Sequence, residues 1–279
     1  MHPTRRIASL EVPERVTPGG QMKITLLCEN EVCAMHWKAE WGFSAWIEHD
    51  GAQILFDMGF SDVWRHNADR AGIDLNAVDA IAFSHIHRDH TRGVLHHGFD
   101  GPKKVVLHPR VMEPPPDIPE DASARTDYLQ IQQVLRDDFN LVETTCAYEM
   151  TPGAFFLGEI PRVTGFEAGH YKGDPMPDDT ALAFRTDKGC VVVAGCSHAG
   201  ICNICEAAMS VTGQALHAVI GGFHLLHDEN PPIDQTIDWF RKAQVPVLLP
   251  MHCVEFDILA RFHTELGTEK LGAGSVIEL

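Results

Sequence analysis

The segment Ser84–His90 reads Ser-His-Ile-His-Arg-Asp-His, and four of its seven residues, His85, His87, Asp89 and His90, carry side chains that bind metal ions. In extended backbone, residues two apart point to the same side, so His85 and His87 can meet one ion. The chain then turns, and Asp89 and His90 can face a second ion beside the first. Imidazole with carboxylate suits zinc, iron or manganese better than calcium or magnesium. The plain alternative is a polar turn that happens to be rich in histidine. So many ligand-type side chains in so short a span argue against it.

Three later loops also carry a histidine directly after an apolar run. They are Ala194-Gly195-Cys196-Ser197-His198-Ala199-Gly200, Gly221-Gly222-Phe223-His224-Leu225 and Pro250-Met251-His252-Cys253. A lone histidine at a strand end is ordinarily a satisfied polar residue near a core. Three recurrences behind one metal-binding motif point instead to a shared site whose ligands come from several strand ends. Cys196 and His198 are both good zinc donors, and the spacing leaves the choice between them open. Cys202 and Cys205 sit three apart on an expected helix, without the second pair that a zinc ribbon needs, and read as small core residues.

The elements needed to position these loops can be read from the apolar pattern. Ala80–Phe83 is short enough to be a buried strand running into the first motif. Met22–Leu27 reads as a first strand, and 42–48 with 53–56 as a hairpin turning at His49-Asp50-Gly51. Asp57, just past it, reads as a buried carboxylate bracing the metal loop. Helical spacing is expected over 61–71, 128–137, 201–211 and 236–243. Further strands are expected at 105–107, 180–185, 191–194, 218–220 and, last, 245–249. The proline-rich stretch 113–126 reads as an irregular surface excursion. The two halves share an order of strands, ligand-rich loop, helix and strand, which suggests a pseudo-duplicated layered fold. Residues 1–20 read as an N-terminal arm and 21–279 as one domain.

Bulk properties narrow the function classes. The chain has 279 residues, 44% of them apolar, and a formal charge of −17. No Lys/Arg run exceeds a pair, so nucleic acid is a poor partner. No apolar run approaches the ~18 residues that span a bilayer, and no secretory leader is visible. The reading is a cytoplasmic protein with reduced thiols and a small-molecule substrate. A homo-oligomer is compatible with Trp37, Trp41 and Trp46, which mark a contact surface or the core.

His85-x-His87-x-Asp89-His90, followed by Gly195-Cys196-Ser197-His198 and a late His252, resembles the metallo-β-lactamase fold superfamily. Gly42-Phe43-Ser44, Leu55-Phe56-Asp57-Met58-Gly59, Gly195–Ile201 and Gly221–Leu225 resemble one branch of it. That branch holds proteins similar to the methanopterin-pathway ribofuranosylaminobenzene 5'-phosphate synthases. The resemblance runs from about Met22 to the C-terminus. It implies an α+β fold, a four-layer αββα sandwich of two mixed sheets flanked by helices. It also implies His85 and His87 on one ion and Asp89, His90 and His252 on the other. Cys196 or His198 would be the bridging or second-site ligand, and His170 falls in the region of the usual third histidine of the first ion.

Two divalent ions, zinc first with manganese or iron as alternatives, would sit about 3.5–4 Å apart and generate a bridging hydroxide near neutral pH. The activity expected is hydrolysis of a small ester, lactone or phosphoester. Asp89 would orient or accept a proton, and His224 would reach the substrate to stabilise an oxyanion or protonate a leaving group. Arg88 and Arg92 could receive a phosphate or carboxylate. Two alternatives stand beside this. One is pentosyl transfer from a phosphoribosyl donor, and the other is a non-catalytic metal-binding or redox sensor protein.

Overall fold

A computed structural model describes residues 22–115, 118–119, 122–167, 169–227 and 231–279. The expected arm over 1–20 lies outside the described residues. In chain order the strands begin with β1 (Lys23–Cys28), β2 (Ser44–His49), β3 (Ala52–Phe56), β4 (Ala80–Ala82), β5 (Lys103–Leu107) and β6 (Phe139–Glu143). These are followed by β7 (Tyr148–Thr151), β8 (Ala154–Phe156), β9 (Ala181–Thr186), β10 (Gly189–Ala194), β11 (Leu216–Gly222), β12 (Val247–Met251) and β13 (Val276–Glu278). The α-helices are α1 (Val63–Ala71), α2 (Arg88–Thr91), α3 (Ser123–Asp138), α4 (Ile201–Thr212), α5 (Ile233–Ala243) and α6 (Phe256–Leu266).

The strands form two sheets, in the orders β13-β1-β2-β3-β4-β5-β6 and β12-β11-β10-β9-β8-β7. Both are mixed. β1, β2 and β3 pair antiparallel, whereas β3 to β6 are parallel. β10, β11 and β12 are parallel, and β8 and β9 join them antiparallel. Strand alternation builds the layers, because successive side chains point to opposite faces. Ile24, Leu26, Ile54, Phe56, Ala80 and Ala82 meet Leu182, Phe184, Val191 and Val193 between the sheets. Leu55, Ile81, Val105 and Leu107 face outward onto Trp64 and Ala68 of α1 and Ile131 and Leu135 of α3. Ala183, Val192 and Val219 face outward onto Ile204 and Ala208 of α4, Phe240 of α5 and Phe262 of α6. The result is the four-layer sandwich with helices on both outer faces.

The expected hairpin, the helices at α1, α4 and α5 and the strand before the first motif are all present, with ends shifted by a few residues. Other expectations need correction. Helix α3 begins at Ser123, inside the stretch expected to be irregular, while residues 116, 117, 120 and 121 of that stretch lie outside the described residues. β12 is not the last strand, because the chain returns to the first sheet and β13 pairs with β1, Ile24 opposite Ile277. Trp46 is buried on the α1 side of the first sheet, whereas Trp41 is 56% exposed.

Parallel strands matter for the site. β4, β10, β11 and β12 all run into a loop at their C-terminal ends, and the two sheets face each other, so these four loops open on one edge of the sandwich.

Candidate metal centre

At the end of β4, Phe83 still pairs with β5, its N–H donating to Val106 O at 3.2 Å. Ser84 to His87 then continue out of the sheet, and α2 turns the chain back, with His90 and Thr91 N–H both donating to His87 O at 3.1 Å. Extended backbone followed by one helical turn is what places four ligand-type side chains side by side. His85 Nε2 lies 3.1 Å from His87 Nδ1.

Asp57 braces this loop from β3. It is fully buried and adopts a positive φ of 55°. Its carboxylate accepts the Ser84 N–H and the Ser84 hydroxyl, both at 2.7 Å. It also accepts His90 Nδ1–H at 2.7 Å. Having donated to Asp57, the Ser84 hydroxyl accepts from His85 Nδ1–H at 2.9 Å. These bonds assign the tautomers: His85 and His90 both turn Nε2 toward the interior of the site. Asp178 secures the other side of the loop, accepting Ile86 N–H at 2.7 Å.

Cys196 and His198 arrive on the loop after β10. Gly195 allows the approach, because a Cβ there would stand 2.2 Å from Ser84 Oγ and 3.0 Å from Asp57 Oδ2. Ser197 takes a left-handed φ of 69° and its hydroxyl donates to Gly222 O at 2.6 Å. Asp179 holds the far end by accepting Ala199 N–H at 2.8 Å. Cys196 Sγ then lies 3.2 Å from His90 Nε2. The His198 ring packs 4.9 Å from His85 and 4.8 Å from His87.

His252 follows β12 with a left-handed φ of 57°. Its N–H donates to Glu29 Oε1 at 2.8 Å, and Asn30 clasps it from both sides. The Asn30 amide donates to His252 O at 2.8 Å, and its oxygen accepts His252 Nδ1–H at 3.0 Å. His252 Nε2 is thereby aimed at Asp89 Oδ2, 3.5 Å away.

Among the described residues, two donor groups draw on the first motif, their ligand atoms within 4.8 Å of one another: Asp89, His90, Cys196 and His252, and His85, Cys196 and His198. Cys196 belongs to both. His87 adjoins the second through His85. His170, by contrast, is exposed and belongs to neither group, and His198 stands where a third histidine beside His85 and His87 was expected.

Electrostatics divide the imidazoles. Burial pushes His85 and His198 well below the ordinary histidine range, with the neighbouring histidines adding to the effect. Burial likewise lowers His87, to about 4, although Asp89 opposes it. For His90 burial also opposes charge, but Asp89 and Asp57 outweigh it and raise the group to about 9. Burial would raise Asp89, yet His90 and His252 hold it below the usual carboxylate range. Burial raises Asp179 to about 7.

These residues fit a metal. Three imidazoles, His85, His90 and His252, have Nδ1 bonded to a protein partner and Nε2 turned inward, the arrangement that orients metal-bound histidine. Both ring nitrogens of His198 are buried and find no hydrogen-bond partner among the described residues. Leaving them so is costly unless the lone pair of one nitrogen and the N–H of the other each find a partner. Imidazoles, a carboxylate and a thiol are donors suited to zinc and its first-row neighbours.

A family model described as the Metallo-beta-lactamase superfamily matches residues 42–198. The chain belongs to the metallo-beta-lactamase superfamily. Within it, the chain is 29% identical over 259 residues to 7,8-dihydropterin-6-methyl-4-(beta-D-ribofuranosyl)-aminobenzene-5'-phosphate synthase of Methanocaldococcus jannaschii, covering 83% of this chain and 87% of that one. An uncharacterized protein of the same organism is 28% identical over 241 residues, covering 80% of this chain and 87% of its own length. Among solved structures, Tm1679, described as a metal-dependent hydrolase of the beta-lactamase superfamily, superposes with a TM-score of 0.72 at 26% identity. That match covers 92% of this chain and 99% of Tm1679.

A cavity of about 490 Å³ opens onto the centre, lined by His87, Asp89, Cys196, His198, His224 and Cys253, with Trp41, Phe60, Tyr128 and Tyr171 as aromatic walls. Arg88 also lines it, but Asp127 engages it at 2.7 Å and Arg92 at 3.2 Å, and both guanidiniums lie over the Phe60 ring. Sequence reasoning did not single out Asp178, Asp179, Glu29, Asn30, Tyr171 or Cys253. The Asp178-Asp179 pair just before β9 was the one local signal, since paired acids beside an apolar run invite a bracing role. As expected, Cys202 and Cys205 are buried in the core, on the inward face of α4.

Proposed function

We propose that the chain is a metal-dependent hydrolase with a dinuclear centre acting on a small ester, lactone or phosphoester. The observation that carries this is the sharing of Cys196 Sγ between the two donor groups around Asp89 and His85. In this reading His85, His87 and His198 would hold one ion and Asp89, His90 and His252 the other, with Cys196 available to either. Zinc suits the thiol-containing donor set best. When bound, the ions supply Lewis-acid polarisation of a carbonyl or phosphoryl oxygen and acidify water. The similarity to Tm1679 supports hydrolysis.

The protein's own contribution is positioning. Asp57, Ser84 and Asn30 fix the rings. Asp89 lines the cavity and stays ionised, so it accepts a hydrogen bond from the attacking water. Its low basicity makes orientation, more than net proton uptake, its role. The aromatic walls give the cavity an apolar lining, and its volume falls in the range for small ligands. His224, for which a catalytic role was expected, lies beside the sulfurs of Cys196 and Cys253. The eight cysteines are free thiols, which suits the cytoplasmic setting read from the sequence.

The test is turnover of an ester, lactone and phosphoester panel by metal-replete protein, beside His85→Ala and Asp89→Ala. Activity that both variants abolish is expected. No turnover across the panel by fully loaded wild type removes hydrolysis as the class. A second reading, pentosyl transfer, is favoured by the 29% identity to the M. jannaschii synthase. Pyrophosphate release from a phosphoribosyl diphosphate that depends on an aromatic acceptor separates it from hydrolysis.

A further inference from the structure

Cys253 and His224 have no part in the dinuclear reading, yet the fold brings both to Cys196. Donor atoms of Cys196, His224 and Cys253 lie within 4.8 Å of one another. Adjacent side chains in extended backbone point to opposite sides. The left-handed φ at His252 breaks that alternation, so His252 and Cys253 both address the centre. Cys253 is 2% exposed, and its thiol donates to Cys196 O at 3.3 Å. The backbone N–H of His224, itself at a φ of 48°, donates to Cys253 Sγ at 3.3 Å.

Gly222 lets the sulfur in, since a Cβ there would stand 2.7 Å from Cys253 Sγ and 2.2 Å from Gly195 O. The contrast with Cys202 and Cys205 is informative. Those thiols lie in the core cluster on the buried face of α4, away from the cavity, whereas Cys253 and Cys196 line it, as does His224. His85, His90 and His252 are not among the lining residues. The His198 ring, both of its nitrogens buried without a hydrogen-bond partner among the described residues, packs 4.1 Å from His224.

We propose that Cys196, His224 and Cys253 form a further metal position at the cavity floor, taking a soft divalent cation through two thiolates and one imidazole. Two sulfurs and an imidazole with the remaining side open is a donor set that catalytic zinc sites use. Thiolates select zinc or cadmium over magnesium or calcium. The position faces the cavity directly, so its open side meets whatever ligand enters there. It rests on the dinuclear reading only through the sharing of Cys196.

The experiment is titration of the metal-stripped full chain with cadmium, following bound equivalents by elemental analysis and thiolate-to-cadmium charge-transfer absorbance. Cys253→Ser is expected to bind one equivalent fewer than wild type and to reach about half its absorbance, because one of two thiolates is gone. His224→Ala is expected to lose the same equivalent, and the exposed Cys146→Ser to lose none. Wild-type equivalents and absorbance in Cys253→Ser overturn the proposal. Should that variant fail to fold, judged by circular dichroism, His224→Ala decides alone, and wild-type equivalents there overturn it equally. His85→Ala and Asp89→Ala report separately on the dinuclear centre. If they lose no ion while Cys253→Ser does, the dinuclear reading falls and this one stands.

Discussion

Asp57→Asn isolates the charge of the carboxylate that orients the first motif. The substitution keeps the size of a side chain that is fully buried. Asparagine can still accept the Ser84 N–H, now 2.7 Å from Asp57 Oδ1. Its amide nitrogen cannot accept the Ser84 hydroxyl and His90 Nδ1–H that Asp57 Oδ2 takes, each at 2.7 Å. His90 then loses the partner that turns Nε2 toward Cys196 and Asp89. Loss of such an outer carboxylate typically lowers metal affinity by about 10–100-fold, or about 1.4–2.7 kcal/mol. Competition with a chromophoric chelator measures this directly.

The metal-free protein gives a second readout. His90 keeps its proton to about pH 9 because Asp89 and Asp57 outweigh the opposing burial. Unfolded, it titrates near 6.5. A folded pKa above the unfolded one stabilises fully below about pH 6.5 and loses that contribution as pH rises through about 9. The full difference is on the order of 3 kcal/mol. Denaturant midpoints of stripped wild type are therefore expected to fall across this window, and those of Asp57→Asn to fall less. Zinc affinity of Asp57→Asn within twofold of wild type, with an unchanged pH profile, refutes the orienting role.

Gly195→Ala places a Cβ 2.2 Å from Ser84 Oγ. It is expected to cost about 1–3 kcal/mol of stability by overpacking, visible in urea unfolding, and to lower metal content. Cys196→Ala, which touches all the donor groups, is expected to lose more metal than any other single donor variant, while His170→Ala keeps the wild-type content. Elemental analysis of the two side by side checks this. Stripping the metal with a chelator is expected to remove about 4 kcal/mol when free ion stood at a thousand times its Kd. For a chain of this size that lowers Tm by on the order of 10 °C in calorimetry.

Much of the site was legible because the motifs are local. A short apolar strand, Ala80–Ala82, running into Ser-His-Ile-His-Arg-Asp-His brings the ligand types together within seven positions. The strand-end strings around Cys196, His224 and His252 identify themselves in the same way. β13 and α6 were not read from the chain. β13 is only three residues long and is defined by the free edge of β1, a partner some 250 positions away. Helix α6 carries Phe256, Ile258, Leu259, Phe262 and Leu266 at helical spacing, so its signal is present in the chain just past β12.

What the sequence by itself determined is which residue types could bind metal and that several strand ends would supply them. What only the tertiary structure decided is which side chains converge. His170 lies in the expected region but is exposed, and His198 packs beside His85 and His87 in its place. Cys253 turns inward because His252 is left-handed, and Glu29 and Asn30 reach His252 across more than 220 residues. The reason is physical. Ligand chemistry belongs to a single side chain, whereas convergence depends on backbone handedness and on braces that only the packed sheets bring together.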